Sequence, residues 1–326
     1  MCCTRNQCAP QPRVVVAYDA EHRLHKGPTS SAENPDRVDA IVDYLWKKCY
    51  IDWDILEDPL PVIPHSSELR NCSACTSPLN GSDFCEICYS VTKDVWSYVQ
   101  DKEGDTTYQT PYTALIVERA SQLVKTHVVN LCQGKGSREF RFILSRPPGH
   151  HACSDHRVGF CHRNFAIDAL DTAYAAGKRA VILDIDAHHG DGTEAEIRLR
   201  NYGNYCSIHA FGPNIYPGTG MVSDDVALNL HLPASSGDAE WCAMMSLATS
   251  WIKEKSAELV ILSCGFDGHA ADTIVPLHLT VQSYRSCSMA LYSLGIPVLA
   301  ILEGGYHIPV LGECVEAILS RFILKP

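Results

Sequence analysis

Apolar and polar positions along this chain fall into alternating blocks, short continuous apolar runs followed by longer stretches with apolar residues three and four apart. The run RVVVAYD at 13–19 predicts a first strand. After Asn34-Pro35, residues 37–50 place Val38, Ile41, Val42 and Leu45 at helical spacing. Proline punctuation over 53–65 predicts irregular backbone. A helix is expected over 111–130, then a strand at 141–145, a helix at 165–176 and a strand at 179–186. A short helix near 194–199 and strands at 205–211 and 227–232 follow. The remainder reads as helix 239–256, strand 259–266, helix 281–294, strand 296–302 and helix 311–324. Apolar strands alternating with helices predict βαβ units, hence an α/β fold whose mostly parallel sheet carries helices on both faces.

Residues 179–192, RAVILDIDAHHGDG, concentrate the polar chemistry. Ala180, Val181, Ile182 and Leu183 read as a buried parallel strand. Asp184, Asp186, His188, His189 and Asp191 then crowd into eight positions. Alternate residues of an extended chain share a face, so Asp184, Asp186 and His188 are expected to point one way. Two carboxylates and an imidazole are costly to bury together without a cation. The bland alternative is a solvated polar loop, but ligands in α/β sheets bind at the carboxyl ends of strands.

Position strengthens that reading. His150 and His151 follow the 141–145 strand, Asp186 and His188 end the next, Asp267 ends a third and Tyr306 follows a fourth. If these strands run parallel, all six groups gather at one sheet edge. Asp186, His188 and Asp267 then form a candidate metal site with open positions, and its O/N set does not separate Zn²⁺ from Fe²⁺ or Co²⁺. Asp184 and Asp191 are available to orient the imidazoles of His150 and His151. Tyr306, behind two glycines, suits a hydrogen-bond donor to a developing oxyanion. With no Walker or dinucleotide phosphate loop and no GxSxG elbow in the sequence, the residues alone point to a metal-assisted hydrolase.

At 326 residues and 46% hydrophobic, one large α/β domain is expected over 13–326, behind a tail at 1–12. Within it, residues 71–90 are a compositional outlier holding two CxxC pairs, Cys72 with Cys75 and Cys85 with Cys88. Four such thiols suit a structural zinc in a stapled surface insertion with scope for docking a protein partner. A redox pair and accidental clustering stay open as alternatives. The sixteen cysteines, with no apolar leader at the N-terminus, point to a reducing compartment, cytoplasmic or nuclear. No apolar run reaches transmembrane length uninterrupted, so no membrane association is expected. A net charge of −11 argues against direct nucleic-acid binding. The same charge fits a cationic substrate, or nothing beyond solubility.

Six motifs then carry a resemblance: RPPGHHA (146–152), GFC (159–161), DIDAHHGDGT (184–193), PGTG (217–220), GFD (265–267) and LEGGY (302–306). Together, and in this order, they resemble the zinc-dependent histone deacetylase and acetylpolyamine amidohydrolase superfamily. The resemblance implies an arginase/deacetylase-type fold and hydrolysis of an acyl-lysine amide, most simply acetyl-lysine, to free lysine and a carboxylate. It implies a catalytic Zn²⁺ held by Asp186, His188 and Asp267, and it allows an accompanying monovalent cation. By the same resemblance His151 is the general base, His150 its electrostatic or acid partner, and Asp184 and Asp191 their hydrogen-bond partners. Tyr306 matches the tyrosine that polarises the amide carbonyl. Phe160 and Tyr216 fall at the two aromatic walls of a lysine tunnel, with Tyr216 in place of the more usual phenylalanine.

The chain mixes subgroup features, since class II enzymes often have asparagine at the position of Asp191 and class I enzymes do not share the Glu303-Gly-Gly spelling. Ile274 falls at the tunnel mouth, where a glutamate would point to a polyamine, and so favours an acylated protein or peptide. Asp105 falls near the acid with which the family anchors substrate backbone. An acetylpolyamine or other small-amide hydrolase is the alternative within enzymes. A catalytically idle binding scaffold is the alternative outside them, and no matched catalytic position is lost to favour it.

Overall fold

The computed structural model describes residues 14–48, 50–60, 96–134 and 138–323. Its centre is an eight-stranded sheet in the order β2-β1-β5-β10-β9-β6-β7-β8, every neighbouring pair parallel. The strands are β1 (Val14–Asp19), β2 (Ile51–Leu56), β5 (Phe140–Ile143), β6 (Ala180–Asp184), β7 (Asn204–Ala210), β8 (Ala227–Leu232), β9 (Leu259–Cys264) and β10 (Val298–Leu302). A separate antiparallel pair, β3 (Ser97–Tyr98) and β4 (Tyr108–Gln109), sits outside it.

Among the described residues seven α-helices cover the two faces: α1 (Asp36–Leu45), α2 (Thr113–Gln133), α3 (Phe165–Ala175), α4 (Asp191–Arg198), α5 (Asp238–Glu254), α6 (Val281–Leu294) and α7 (Ile308–Ile323). Parallel strands need such crossovers, and burial on both faces explains why their sequences lack polar alternation. The pleat divides each strand between two cores. Val181, Leu183, Val260, Leu262, Val298 and Ala300 join one with α1, α5, α6 and α7. Ile182, Ile261, Leu299 and Ile301 join the other with α2, α3 and α4. Truncating one such isoleucine or leucine to alanine costs about 2–5 kcal/mol, so the central strands are rigid supports for whatever leaves their ends.

The expected α/β architecture with helices on both faces is the observed one, and the main sheet is parallel throughout. The irregular backbone expected over 53–65 is wrong for Trp53–Leu56, which belongs to β2. IDWDIL alternates Ile51, Trp53 and Ile55 with Asp52 and Asp54, the pattern of an edge strand wet on one side, and it pairs with β1 in register Val16 to Trp53. The prolines that suggested irregularity begin only at Pro59. Helix α4 starts at Asp191 and α7 at Ile308, each three residues earlier than expected. Pro309 is tolerated in α7 because its missing N–H falls in the first turn.

Candidate active site

Strands β5, β10, β9 and β6 are consecutive in the sheet, and being parallel they release their following loops at one edge. These four loops carry His150 and His151, Tyr306, Asp267, and Asp186 with His188. Adjacent strands lie about 5 Å apart, so side chains from neighbouring loops can meet.

Asp186, His188 and Asp267 do meet, each offering a donor atom within 4.8 Å of the others. His188 Nδ1 lies 3.1 Å from Asp186 Oδ1 and 2.8 Å from Asp267 Oδ2. Backbone N–H groups aim both carboxylates: Gly304 donates to Asp186 Oδ2 at 2.7 Å and Ala187 to Asp267 Oδ1 at 2.9 Å. Asp267 Oδ2 is buried, accepts from no backbone N–H and faces the His188 ring nitrogen, the arrangement of ligand atoms turned toward one cation. Burial and the neighbouring Asp186 charge push the Asp267 carboxyl up to about 6. A divalent ion would remove that penalty, and the residues present fit one.

Ile185 and Ala187 join the core of Val181 and Leu183, so the two-residue alternation runs on past the strand end and leaves Asp184, Asp186 and His188 on the opposite side, as the extended-chain expectation has it. The strand ends at Asp184, whose Oδ1 accepts from Asp186 N–H at 3.1 Å, and Asp186 Oδ1 accepts from His188 N–H at 2.9 Å. These side-chain bonds to the residue two ahead turn the chain out of the strand. Asp184 Oδ2 faces His150 Nδ1 at 3.0 Å and accepts from the Tyr205 hydroxyl at 2.9 Å, while His150 Nε2 lies 3.7 Å from Asp186 Oδ1. His151 Nδ1 lies 2.7 Å from Asp191 Oδ1. The two imidazoles sit 4.0 Å apart between centroids.

Their environments differ in sign. Burial opposes charge on His150, but the carboxylates of Asp186 and Asp184 outweigh it and hold the imidazole well above its usual range. Burial and the charge on His150 push His151 down to about 4 despite its bond to Asp191. The carboxylates thus favour the charged form of His150 while burial and His150 favour the neutral form of His151, and groups separated in this way divide acid and base roles.

Tyr306 closes the group from the β10 side. Burial keeps its phenol far above the ordinary value, so it remains a donor. Gly304 makes this approach possible: a Cβ there would lie 2.5 Å from Asp186 Oδ2 and 2.6 Å from Asp267 Oδ2. A cavity of about 420 Å³ opens over these residues, lined by His151, His188, Phe160, Tyr216, Tyr306, Gly159 and Ile274 together with residues 102–106. The Tyr216 ring meets His151 edge-on at 5.0 Å, and Phe160 meets Tyr306 at 5.8 Å. Gly159 has φ +58, and a Cβ there would come within 2.5 Å of the His151 ring, so the wall can pack against the base only with glycine. Ile274 is 45% exposed, which puts it at the rim. Asp105 lines the same cavity and accepts from Gly159 N–H at 3.0 Å.

Three supporting residues were given no role from the sequence. Buried Glu303 accepts from the N–H groups of Gly149 and His150 at 2.7 and 3.1 Å, tying the tyrosine loop to the histidine loop. Arg37, from α1, donates to the carbonyls of Gly305 and Glu303 and stacks over the Tyr306 ring at 4.8 Å. Asp272 accepts from the N–H groups of Tyr306 and Ile274 at 2.6 and 3.2 Å, linking the phenol to the rim. Of these only Glu303 left a local trace, an acid inside an otherwise apolar and glycine run. Cys72, Cys75, Cys85 and Cys88 lie outside the described residues.

A family model described as Histone deacetylase domain matches residues 32–322. Uncharacterized protein slr0245 of Synechocystis sp. is 32% identical over 95% of this chain and 99% of its own length. Acetylpolyamine amidohydrolase of Burkholderia pseudomallei is 31% identical over 56% of this chain, spanning 54% of that protein. Among solved structures, the HDA15 HD domain superposes with a TM-score of 0.75 at 26% identity, covering 95% of this chain and 91% of that one.

Proposed function

This chain belongs to the histone deacetylase domain family, a family of zinc-dependent hydrolases, and from that premise we propose that it hydrolyses the side-chain amide of acyl-lysine in a protein or peptide. The products are free lysine and a carboxylate, acetate in the simplest case. One juxtaposition carries the reading: a neutral imidazole, a protonated phenol and a two-carboxylate, one-imidazole cluster converge on a single cavity.

Asp186, His188 and Asp267 would hold a zinc ion, whose chemistry there is Lewis-acid activation of water and polarisation of the acyl carbonyl. His151, free of a proton on Nε2 and braced through Nδ1 by Asp191, takes the proton of the attacking water. His150 holds its positive charge beside the reacting centre and steadies the negative charge that develops. Tyr306 donates its O–H to the acyl oxygen as that oxygen becomes an oxyanion. The leaving amine recovers a proton from the histidine pair. Phe160 and Tyr216 flank the lysine stem, and Ile274 meets the peptide at the rim.

A second reading, an acetylpolyamine hydrolase, is favoured by the name of the Burkholderia relative and by Glu103 and Asp105 lining the cavity, where they suit a cationic substrate. Rates on an acetyl-lysine peptide and on acetylspermidine separate the two. A kcat/KM favouring the polyamine removes the first reading. Activity on neither, with tightly bound zinc present, favours an idle scaffold. Two further elements belong to the proposal: a structural zinc at Cys72, Cys75, Cys85 and Cys88, tested by finding two tight zinc ions per chain, and residence in a reducing compartment, cytoplasmic or nuclear. Among the described residues eight cysteines are free thiols, and no helix is long and apolar enough to cross a membrane.

A further inference from the structure

The loop between His151 and Phe160 carries a pattern that hydrolysis leaves unused, Cys153-Ser154-Asp155-His156. A thiol and an imidazole separated by two residues can face the same point when the intervening backbone turns tightly. It does so here, with the Cys153 N–H donating to the His156 carbonyl at 3.0 Å. Cys153 Sγ lies 3.5 Å from His156 Nε2. Zinc bonds of about 2.3 Å to sulfur and about 2.0 Å to nitrogen, at a tetrahedral angle, also place two donors about 3.5 Å apart.

Asp155 supplies the orienting partner. Its Oδ1 lies 2.7 Å from His156 Nδ1, which fixes the ring proton there and leaves the Nε2 lone pair facing the sulfur. All three residues offer a donor atom within 4.8 Å of the others. The turn is braced without any ion: Ser154 N–H donates to Glu196 Oε1 at 2.6 Å, and Arg157 forks onto Asp101 at 2.8 and 3.1 Å. Cys153 and His156 are partly exposed, so water can complete a coordination shell.

We propose that Cys153 and His156, with Asp155, form a second, exchangeable metal site for a borderline-soft divalent cation of the zinc type, distinct from the Asp186, His188 and Asp267 cluster. A thiolate and an imidazole select against magnesium and calcium. Binding forms a sulfur–metal bond as the thiol proton leaves to solvent. Two strong protein donors and one exposed carboxylate make a site that loads and empties with free zinc, unlike a closed four-thiolate site.

The test uses the full chain carrying its tightly bound metal, equilibrated with buffered free zinc up to about 10 micromolar, a level suited to a weak, partly hydrated site. Iodoacetamide modification is then followed by mass spectrometry on the peptide containing Cys153. Zinc is expected to slow alkylation of Cys153 at least about 10-fold, whereas millimolar magnesium leaves it unchanged. H156Q should abolish the protection, and D155N should raise the zinc needed by about 10-fold or more. C153S should bind one zinc fewer than the parent at the same free zinc, with kcat in zinc-free buffer unaltered. Equal alkylation rates with and without zinc, or equal protection in H156Q, would overturn the site. Rapid alkylation indifferent to zinc would instead assign the three residues as a nucleophilic triad.

Discussion

His150 and His151 stand 4.0 Å apart between ring centroids, yet their surroundings push them in opposite directions, the first toward its charged form and the second toward its neutral one. Asp186 and Asp184 lie on the His150 side, while burial and the His150 charge act on His151. The opposite surroundings divide the labour between the two rings. His151→Ala should lower kcat by about 10²–10⁴, with far-UV circular dichroism unchanged. Asp191→Asn, which leaves the imidazole in place but weakens its brace, should cost a smaller factor, about 10–100. Steady-state kinetics on an acetyl-lysine peptide checks both, and full activity in His151→Ala would remove it as the base.

Gly304 touches the same centre from the other side. Its N–H orients Asp186, and its missing side chain leaves room for the two carboxylates. Gly304→Ala inserts a methyl against oxygens that are themselves buried and fixed, so the carboxylates must separate. The metal-free protein should lose about 1–3 kcal/mol to the overpacking, and metal affinity should fall about 10–100-fold. Chelator competition measures it, and activity should return in part with added zinc. An alanine variant that holds metal as tightly as the parent would show that the ligands tolerate separation.

What the sequence made legible follows from how locally each feature is determined. β6 is buried at all five positions, so AVILD announces itself without reference to the rest of the chain. The site edge was legible because four strands point the same way, a consequence of βαβ connection alone. Which of the two histidines Asp184 orients was not legible, because that depends on an imidazole 34 residues away. Arg37 was silent because its partners, the carbonyls of Glu303 and Gly305, lie more than 260 residues further along. Edge strand β2 was overlooked because the prolines that begin at Pro59 extended an irregular reading back over Trp53–Leu56, whose pairing with β1 no local pattern announces.

Ile274 offers a way to redirect substrate choice without touching the chemistry. It is exposed at the rim, and its N–H is held by Asp272, which also holds the Tyr306 turn. A glutamate side chain there should attract a second ammonium group of a polyamine while leaving the catalytic groups in place. Ile274→Glu should raise kcat/KM for acetylspermidine relative to an acetyl-lysine peptide by about 10-fold at low salt, about 1.4 kcal/mol, and the gain should shrink as salt is added. A ratio that stays constant across salt would place Ile274 outside the contact surface.

Glu194 links the site's supporting loops to acid stability. Burial raises its carboxyl, but hydrogen bonds from His189, Asn229 and Arg198 outweigh burial and hold it at about 2, against 4.5 for an unperturbed side chain. Its Oε2 lies 2.8 Å from His189 Nε2, and His189 in turn reaches Thr219 at 2.8 Å in the loop after Tyr216. A carboxyl lowered on folding contributes stability that is complete above the unfolded value and disappears as pH falls toward the folded one. The contribution of Glu194 is therefore lost between about pH 4.5 and about pH 2. Glu194→Gln keeps the shape and one acceptor but removes the titration. Between pH 5 and pH 2 the parent should lose about 1–2 kcal/mol more unfolding free energy than the variant, after allowance for partial solvent screening. Urea denaturation across that range gives the two curves. Parallel curves would mean that the three donors lower the carboxyl equally in the unfolded chain, and the loop anchored through His189 would need another source of its stability.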